Sequence, residues 1–167
     1  MMEWLFSWDS WGVFFQKHGL WLMFLSAFLS ATVLPGNSEV VFMGLATPIL
    51  LVEPSYVATP ILTLLGVAVV GNSLGSISTY WLGRLFPAPL EKDRKTYWVV
   101  QKMQRFGSPV LLLSWLPVVG DIACAVAGWL RINSFWASIF IIIGKTVRYV
   151  FLLFLLSPVI STRDFLS

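Results

Sequence analysis

The sequence predicts an all-α integral membrane protein. It reads as two re-entrant, broken helical hairpins in an inverted repeat, each followed by a transmembrane helix, behind an N-terminal amphipathic helix. Three observations carry this. Hydrophobic residues make up 57% of the 167 and charged residues only 11%, where a soluble domain carries about 25% charged; mean hydropathy is +0.82. Two apolar stretches run long enough for the roughly 20 residues a spanning helix needs. Two further stretches are interrupted in the middle by turns that resemble each other.

Along the chain, residues 1–18 carry Trp4, Trp8 and Trp11 at helical spacing with Phe14 and Phe15, interrupted by Glu3, Asp9 and Lys17. That pattern fits a helix lying in the membrane interface, and the acidic start without a small-residue cleavage site argues against a signal peptide. A membrane domain is expected over 19–160. It starts with a broken stretch, 19–52, interrupted by Leu34-Pro35-Gly36-Asn37-Ser38-Glu39. A clean span follows over 56–85, then a basic loop over 86–106. The second broken stretch, 108–132, is interrupted at Leu116-Pro117-Val118-Val119-Gly120-Asp121, and the second clean span covers 135–157, leaving 161–167 as a tail. The arms of 108–132 are each about 15 Å long as helix, too short to cross. Exposed turn backbone cannot face lipid, so both breaks must be buried in protein or line a wet cavity.

Both breaks read Leu-Pro-x-x-small-acid. Pro35 and Pro117, like Glu39 and Asp121, stand 82 positions apart. Two interrupted segments in corresponding positions point to a transporter-type site. Orientation follows from Lys and Arg in short loops: Arg84, Lys92, Arg94, Lys95, Lys102 and Arg105 concentrate in 84–105, which is therefore expected on the cytoplasmic side. Residues 91–105 also read as a second amphipathic segment, with Tyr97, Trp98 and Met103 among the charges.

Composition narrows the function classes. Cys124 is the only cysteine, so a disulfide scaffold is excluded. The net charge of +3 without a long basic tract argues against nucleic acid as a partner. No Ser-His-Asp, His-rich or metal-ligand cluster is visible, so no enzyme, metal or cofactor is expected; an intramembrane lipid enzyme would have to rely on Glu39 and Asp121 alone.

The informative residues are ionisable groups inside the membrane, each costing roughly 2.5–3.5 kcal/mol on insertion scales: Glu39, Asp121, Arg131, Lys145 and Arg148. Glu39 and Asp121 open the second arm of each broken stretch, where a helix N-terminus favours negative charge. They could simply cap the arms, with Asn37 or Ser38 helping, or take up a proton in a cavity. Lys145 and Arg148 lie mid-span on one helix face with Tyr149 beside them. They could pair with Glu39 or Asp121, or bind a phosphate, for which Arg offers a fork and Lys a point charge. Arg131, nearer an arm's end, suits an interfacial role, and is retained as a candidate binding residue. Gly71-Asn-Ser-Leu-Gly75 is a GxxxG step that permits close helix packing or a homo-oligomer, and a buried Asn72 there needs a partner or ligand.

The same residues carry a family resemblance over about residues 19–150. The runs Leu34-Pro-Gly-Asn-Ser-Glu-Val-Val41, Gly71-Asn-Ser-Leu-Gly75, Tyr80-Trp-Leu-Gly-Arg84, Phe106-Gly107, Ser114-Trp-Leu-Pro-Val-Val-Gly-Asp121, Ala127-Gly128-Trp-Leu-Arg131 and Gly144-Lys-Thr-Val-Arg-Tyr149 occur in order. They resemble the DedA family, also called SNARE-associated or VTT-domain proteins, and within it the small YqaA-type branch. The resemblance implies facing re-entrant hairpins and a bacterial inner-membrane protein linked to lipid translocation, in some members proton-dependent. Glu39 matches the family's acid after the first turn; Tyr80, Gly83 and Arg84 match its Tyr-x-x-Gly-Arg ending; Pro117 and Gly128 match the second hairpin. Two arginines usual around the second turn read Ser114 and Gly120 here, and an aspartate of the first span reads Ser76. The additional acid expected a few residues before the first proline is also missing. The expected function is therefore a flippase-like lipid transporter for an anionic headgroup, with Lys145 and Arg148 replacing the missing arginines and membrane lipids and protons as partners. The competing expectation is a non-transporting assembly protein, in which every charge pairs off and no wet cavity remains.

Overall fold

Two long apolar helices frame the molecule in a computed structural model that describes residues 8–32, 38–52, 55, 58–85 and 94–156, with the side chains of 8–17, 94 and 96 left out. The expectations for residues 1–7, for the first turn at 34–37, for much of the basic loop and for the tail lie outside these residues. Among the described residues every regular element is helical. In order they are α1 (Trp8–Ser30), α2 (Ser38–Val52), α3 (Thr59–Leu85), α4 (Arg94–Phe106), a 3₁₀ helix (Ser108–Trp115), α5 (Val119–Trp129) and α6 (Ser134–Leu155).

α3 and α6 cover the two stretches expected as clean spans, and both are long and apolar enough to cross a membrane. With 27 and 22 residues they measure about 40 and 33 Å, against a hydrocarbon core of about 30 Å. Pro60 sits in the first turn of α3, where its missing N–H costs nothing. α6 is started by Asn133, whose side chain accepts a hydrogen bond from the Phe135 N–H at 3.0 Å.

α1 departs from expectation. It runs unbroken across the boundary expected at residue 18, so the interfacial segment and the first arm share one helix from Trp8 onward. Gly12 and Gly19 each weaken a helix by about 1 kcal/mol, which does not end one, and no proline stands between Trp8 and Ser30.

The second broken stretch is broken as expected, with the turn confined to 116–118. Its first arm is 3₁₀ rather than α: eight residues after Gly107, which has φ 68°. At about 2.0 Å per residue that arm is some 16 Å long, nearly the same as the 11 residues of α5 at 1.5 Å each. Val118 holds φ 65°, and the Val119 N–H reaches back to the Pro117 carbonyl at 2.7 Å. This tight three-residue turn is strained for a β-branched residue.

Glycine and alanine set the helix contacts. Gly71 and Gly75 of α3 lie on α1: a Cβ on Gly71 would stand 2.8 Å from the Phe24 carbonyl oxygen and 3.2 Å from Ala27 Cβ, and one on Gly75 would overlap the Phe28 carbonyl. The GxxxG step therefore packs within the chain. Farther along α3, Gly83 abuts the Ala125 carbonyl and Gly128 of α5 abuts the Tyr80 carbonyl. Tyr80 also donates through its hydroxyl to the Ile132 carbonyl, just beyond α5. The Tyr-x-x-Gly-Arg and Ala-Gly motifs are thus two sides of one close α3–α5 contact.

The buried residues form two cores. Met23, Ala27, Phe42, Ala46, Leu50, Ile61, Leu64, Ala68, Tyr149 and Leu152 join α1, α2, the first half of α3 and the second half of α6. Tyr80, Val99, Met103, Leu111, Ala123, Cys124, Ala127, Ala137 and Ile141 join the remaining halves to α4, the 3₁₀ helix and α5. The polar residues of α3 and α6 fall at the junction.

Candidate functional site

α6 carries the cations and two other helices bring the anions. Lys145 and Arg148 are both buried in the middle of α6. Asp121 lies in the first turn of α5 and Glu39 in the first turn of α2. Lys145 Nζ donates to Asp121 Oδ1 at 3.1 Å, and Arg148 Nη2 donates to Glu39 Oε1. The sequence left the pairing open; the structure makes it one to one. Two helix N-termini, each with a partial positive charge of about half a unit, therefore point toward one stretch of α6. Burial is uneven. The Lys145 and Arg148 side chains are 1% and 11% exposed, whereas Asp121 and Glu39 are 31% and 38% exposed. The cations are enclosed by protein and the carboxylates form the accessible side.

A polar stripe on α3 backs this cluster. Asn72, Ser73 and Ser76 are buried at spacings of three and four residues, which place them along one side of the helix. Asn72 Nδ2 donates to the Tyr149 hydroxyl at 2.9 Å, and that hydroxyl donates to Ser38 Oγ at 3.3 Å. One tyrosine thus ties α3, α6 and the start of α2 together. Among the described residues, Asn72 Oδ1, Ser73 Oγ, Ser76 Oγ and Arg148 Nε are buried without a hydrogen-bond partner. A polar group left so costs about 1–3 kcal/mol, so the junction has unused hydrogen-bonding capacity beside the ion pairs.

Five of the six candidate residues meet here: Glu39, Asp121, Lys145, Arg148 and Asn72. Arg131 does not. It is exposed beyond the end of α5, about 15 Å along the helix from Asp121. Its φ is 52°, with the Ile132 N–H bonded to the Ala127 carbonyl and the Arg131 N–H to the Gly128 carbonyl. This is a Schellman ending with arginine where glycine is usual, and the cation complements the helix's negative end. Capping does not account for Asp121, because the N-cap of α5 is Val118 and the helix start has no side-chain cap hydrogen bond. Asn37 lies outside the described residues. Sequence reasoning passed over Ser73 and Ser76 as small packing residues and Ser38 as a cap. The signal that could have found the first two was the polar spacing 72, 73, 76.

Ser114 and Gly120, the two positions where the resemblance implied arginine, are closely packed. Ser114 is fully buried, with its hydroxyl 3.4 Å from the Ile141 carbonyl, and a Cβ on Gly144 would overlap its oxygen. A Cβ on Gly120 would stand 2.7 Å from Ser114 Cα. Small side chains bring the second turn against α6 one residue before Lys145.

Comparison with known proteins gives close relatives. The chain is 54% identical over 145 residues to an uncharacterized protein of Haemophilus influenzae, covering 87% of this chain and 92% of that one. It is 43% identical over 134 residues to the inner membrane protein YqaA of Escherichia coli, and equally to that of Shigella flexneri, covering 78% of this chain and 86% of each relative. No family model and no solved structure matches. With identity of this degree over most of both chains, the protein belongs to the family of the inner membrane protein YqaA.

Proposed function

We propose that this chain is a small inner-membrane lipid transporter of the DedA type, which passes an anionic, phosphate-bearing lipid headgroup across the cluster of Glu39, Asp121, Lys145 and Arg148. The observation that carries the reading is the convergence of two helix N-termini on two enclosed cations in the middle of a spanning helix. Helix N-termini and paired cations are what a phosphate selects. The nearly equal 16 Å arms of the second broken unit and the division into two cores support re-entrant hairpins related by an inverted repeat.

In the structure each cation is already occupied by a carboxylate. A headgroup therefore enters by exchange. It approaches from the accessible carboxylate side; protonation of Glu39 or Asp121 removes the competing charge; the phosphate then takes the freed Arg148 fork or Lys145 ammonium. Arg148 Nε, buried without a partner, is a spare donor on that same guanidinium. On return the carboxylate loses its proton and expels the headgroup. One proton accompanies one headgroup, and no covalent step occurs. The close packing at Ser114 and Gly120 supports Lys145 and Arg148 as the positive charge that the usual arginines would supply.

A second reading has its own support. All four charges of the cluster are paired, as a non-transporting assembly protein requires. Lipid translocation in sealed liposomes separates the two. The expected result is flipping of a chemically trappable anionic lipid by wild type, lost in Lys145→Gln and Arg148→Gln and made independent of a pH gradient in Glu39→Gln and Asp121→Asn. Absence of flipping by folded wild type across several anionic lipids refutes transport and leaves the assembly reading.

A further inference from the structure

α4 carries four basic residues and no acidic one in the segment Arg-Lys-Thr-Tyr-Trp-Val-Val-Gln-Lys-Met-Gln-Arg-Phe. It packs on α5 and the 3₁₀ helix through Val99, Val100 and Met103, all buried. Trp98, Lys102 and Phe106, spaced by four, are left along one line of the helix. The chain then turns at Gly107 into the 3₁₀ helix, and an open, mainly apolar groove of about 380 Å³ lies along the elbow. Trp98, Phe106 and Pro109 form its walls and Val110 and Leu113 its floor. That volume falls within the roughly 300–1,000 Å³ of small-molecule sites.

Lys102 stands at the mouth. Its ammonium lies 5.9 Å from the Trp98 ring centre and 5.5 Å from that of Phe106, and the Arg105 guanidinium lies 5.3 Å from Phe106. Among the described residues no carboxylate pairs with Lys102 or Arg105. The exposed Trp81 with Arg84 over it at 5.4 Å repeats the pattern at the end of α3. Exposed tryptophans beside cations mark headgroup level. An apolar floor and a cationic mouth together ask for an occupant with an acyl chain and a negative head. A soluble anion would use only the mouth, and a neutral apolar segment only the floor.

We infer that the elbow between α4 and the 3₁₀ helix is a binding site for one anionic phospholipid, its headgroup on Lys102 and Arg105 and its acyl chain against Val110 and Leu113. The site shares no residue with the ion-pair cluster, so it holds whether or not that cluster transports lipid. Basic pockets of this kind beside membrane helices select anionic headgroups.

The test is native mass spectrometry of the protein released from nanodiscs of equal phosphatidylglycerol and phosphatidylcholine. Wild type should retain one phosphatidylglycerol in preference to phosphatidylcholine. Lys102→Gln should lower that retention about fivefold, and Arg105→Gln by a similar further factor, from the energy of one surface cation near anionic lipid. Trp98→Ala, which removes an exposed wall, should lower retention of both lipids. Arg84→Gln, outside both the groove and the ion-pair cluster, should retain lipid as wild type does. Equal retention of both lipids by wild type overturns the inference. So does an Arg84→Gln loss as large as that of Lys102→Gln, which would mean diffuse surface charge, or unchanged retention in both Lys102→Gln and Arg105→Gln, which would place the lipid outside the elbow.

Discussion

Gly128→Ala is the most exacting test of the packing that positions the site. A Cβ on Gly128 would overlap the Tyr80 carbonyl oxygen, and would stand 2.8 Å from the carbonyl carbon and 3.1 Å from the Arg84 nitrogen. All three atoms are α3 backbone and cannot rotate away. Two carbons pack at about 3.5–4.0 Å, so α3 and α5 must part by roughly 1 Å. Overpacking of this order costs about 1–3 kcal/mol, set against the gain of about 1 kcal/mol that Gly→Ala gives in a helix interior. Gly66→Ala supplies the reference: nothing lies within 4 Å of a Cβ there, so it should show the gain alone. The two variants should differ by about 1–3 kcal/mol, Gly66→Ala being the more stable. Unfolding in mixed micelles, followed by tryptophan fluorescence, measures the difference. Equal stability of the two would refute the close α3–α5 contact and the seating of α5 that aims Asp121 at Lys145.

Other consequences follow from the charges and the turns. Asp121→Asn should destabilise by about 3–5 kcal/mol, because it leaves the enclosed Lys145 unpaired, whereas Asp121→Leu combined with Lys145→Met should recover most of that loss; a double variant no better than the single one would mean that Lys145 finds another partner. Arg131→Gly should raise stability by up to about 1 kcal/mol by removing the cost of a side chain at positive φ, with lipid translocation unchanged in the liposome assay. Loss of translocation in that variant would return Arg131 to the binding residues.

The two long apolar helices and the second turn were legible in the sequence because each rests on a local rule. Uninterrupted apolar length sets α3 and α6, and a proline with small neighbours sets the break at Pro117. That α1 runs on through residue 18 was not legible, because scattered charges resemble a helix end, while continuation depends on breakers, and glycine is a weak one. The 3₁₀ arm has no sequence signature of its own. The cluster was legible as a set of residue types, since five ionisable groups in an apolar chain stand out. Which acid meets which base was not, because it depends on how far along α6 the ends of α2 and α5 land. Arg131 belongs to the same difficulty: its type suggested a site, and its position past the end of α5 assigns it to a helix terminus.

The ion pairs themselves argue for a site over a scaffold. A buried pair is a poor way to join helices, since well-packed apolar side chains of similar volume often hold as well or better. Here the same contacts could be made by apolar packing, for both cores already reach the junction from either side. Instead two acids, two bases, an amide and two unpaired serine hydroxyls are gathered where α2, α3, α5 and α6 come together. Both cations belong to one helix and the acids to two others. Neutralising one acid therefore loosens one helix end while the other pair still holds its own. An arrangement that can open at one end at a time suits alternate exposure of a polar group better than it suits static support, and the stability of Asp121→Asn against Glu39→Gln measures how independent the two ends are.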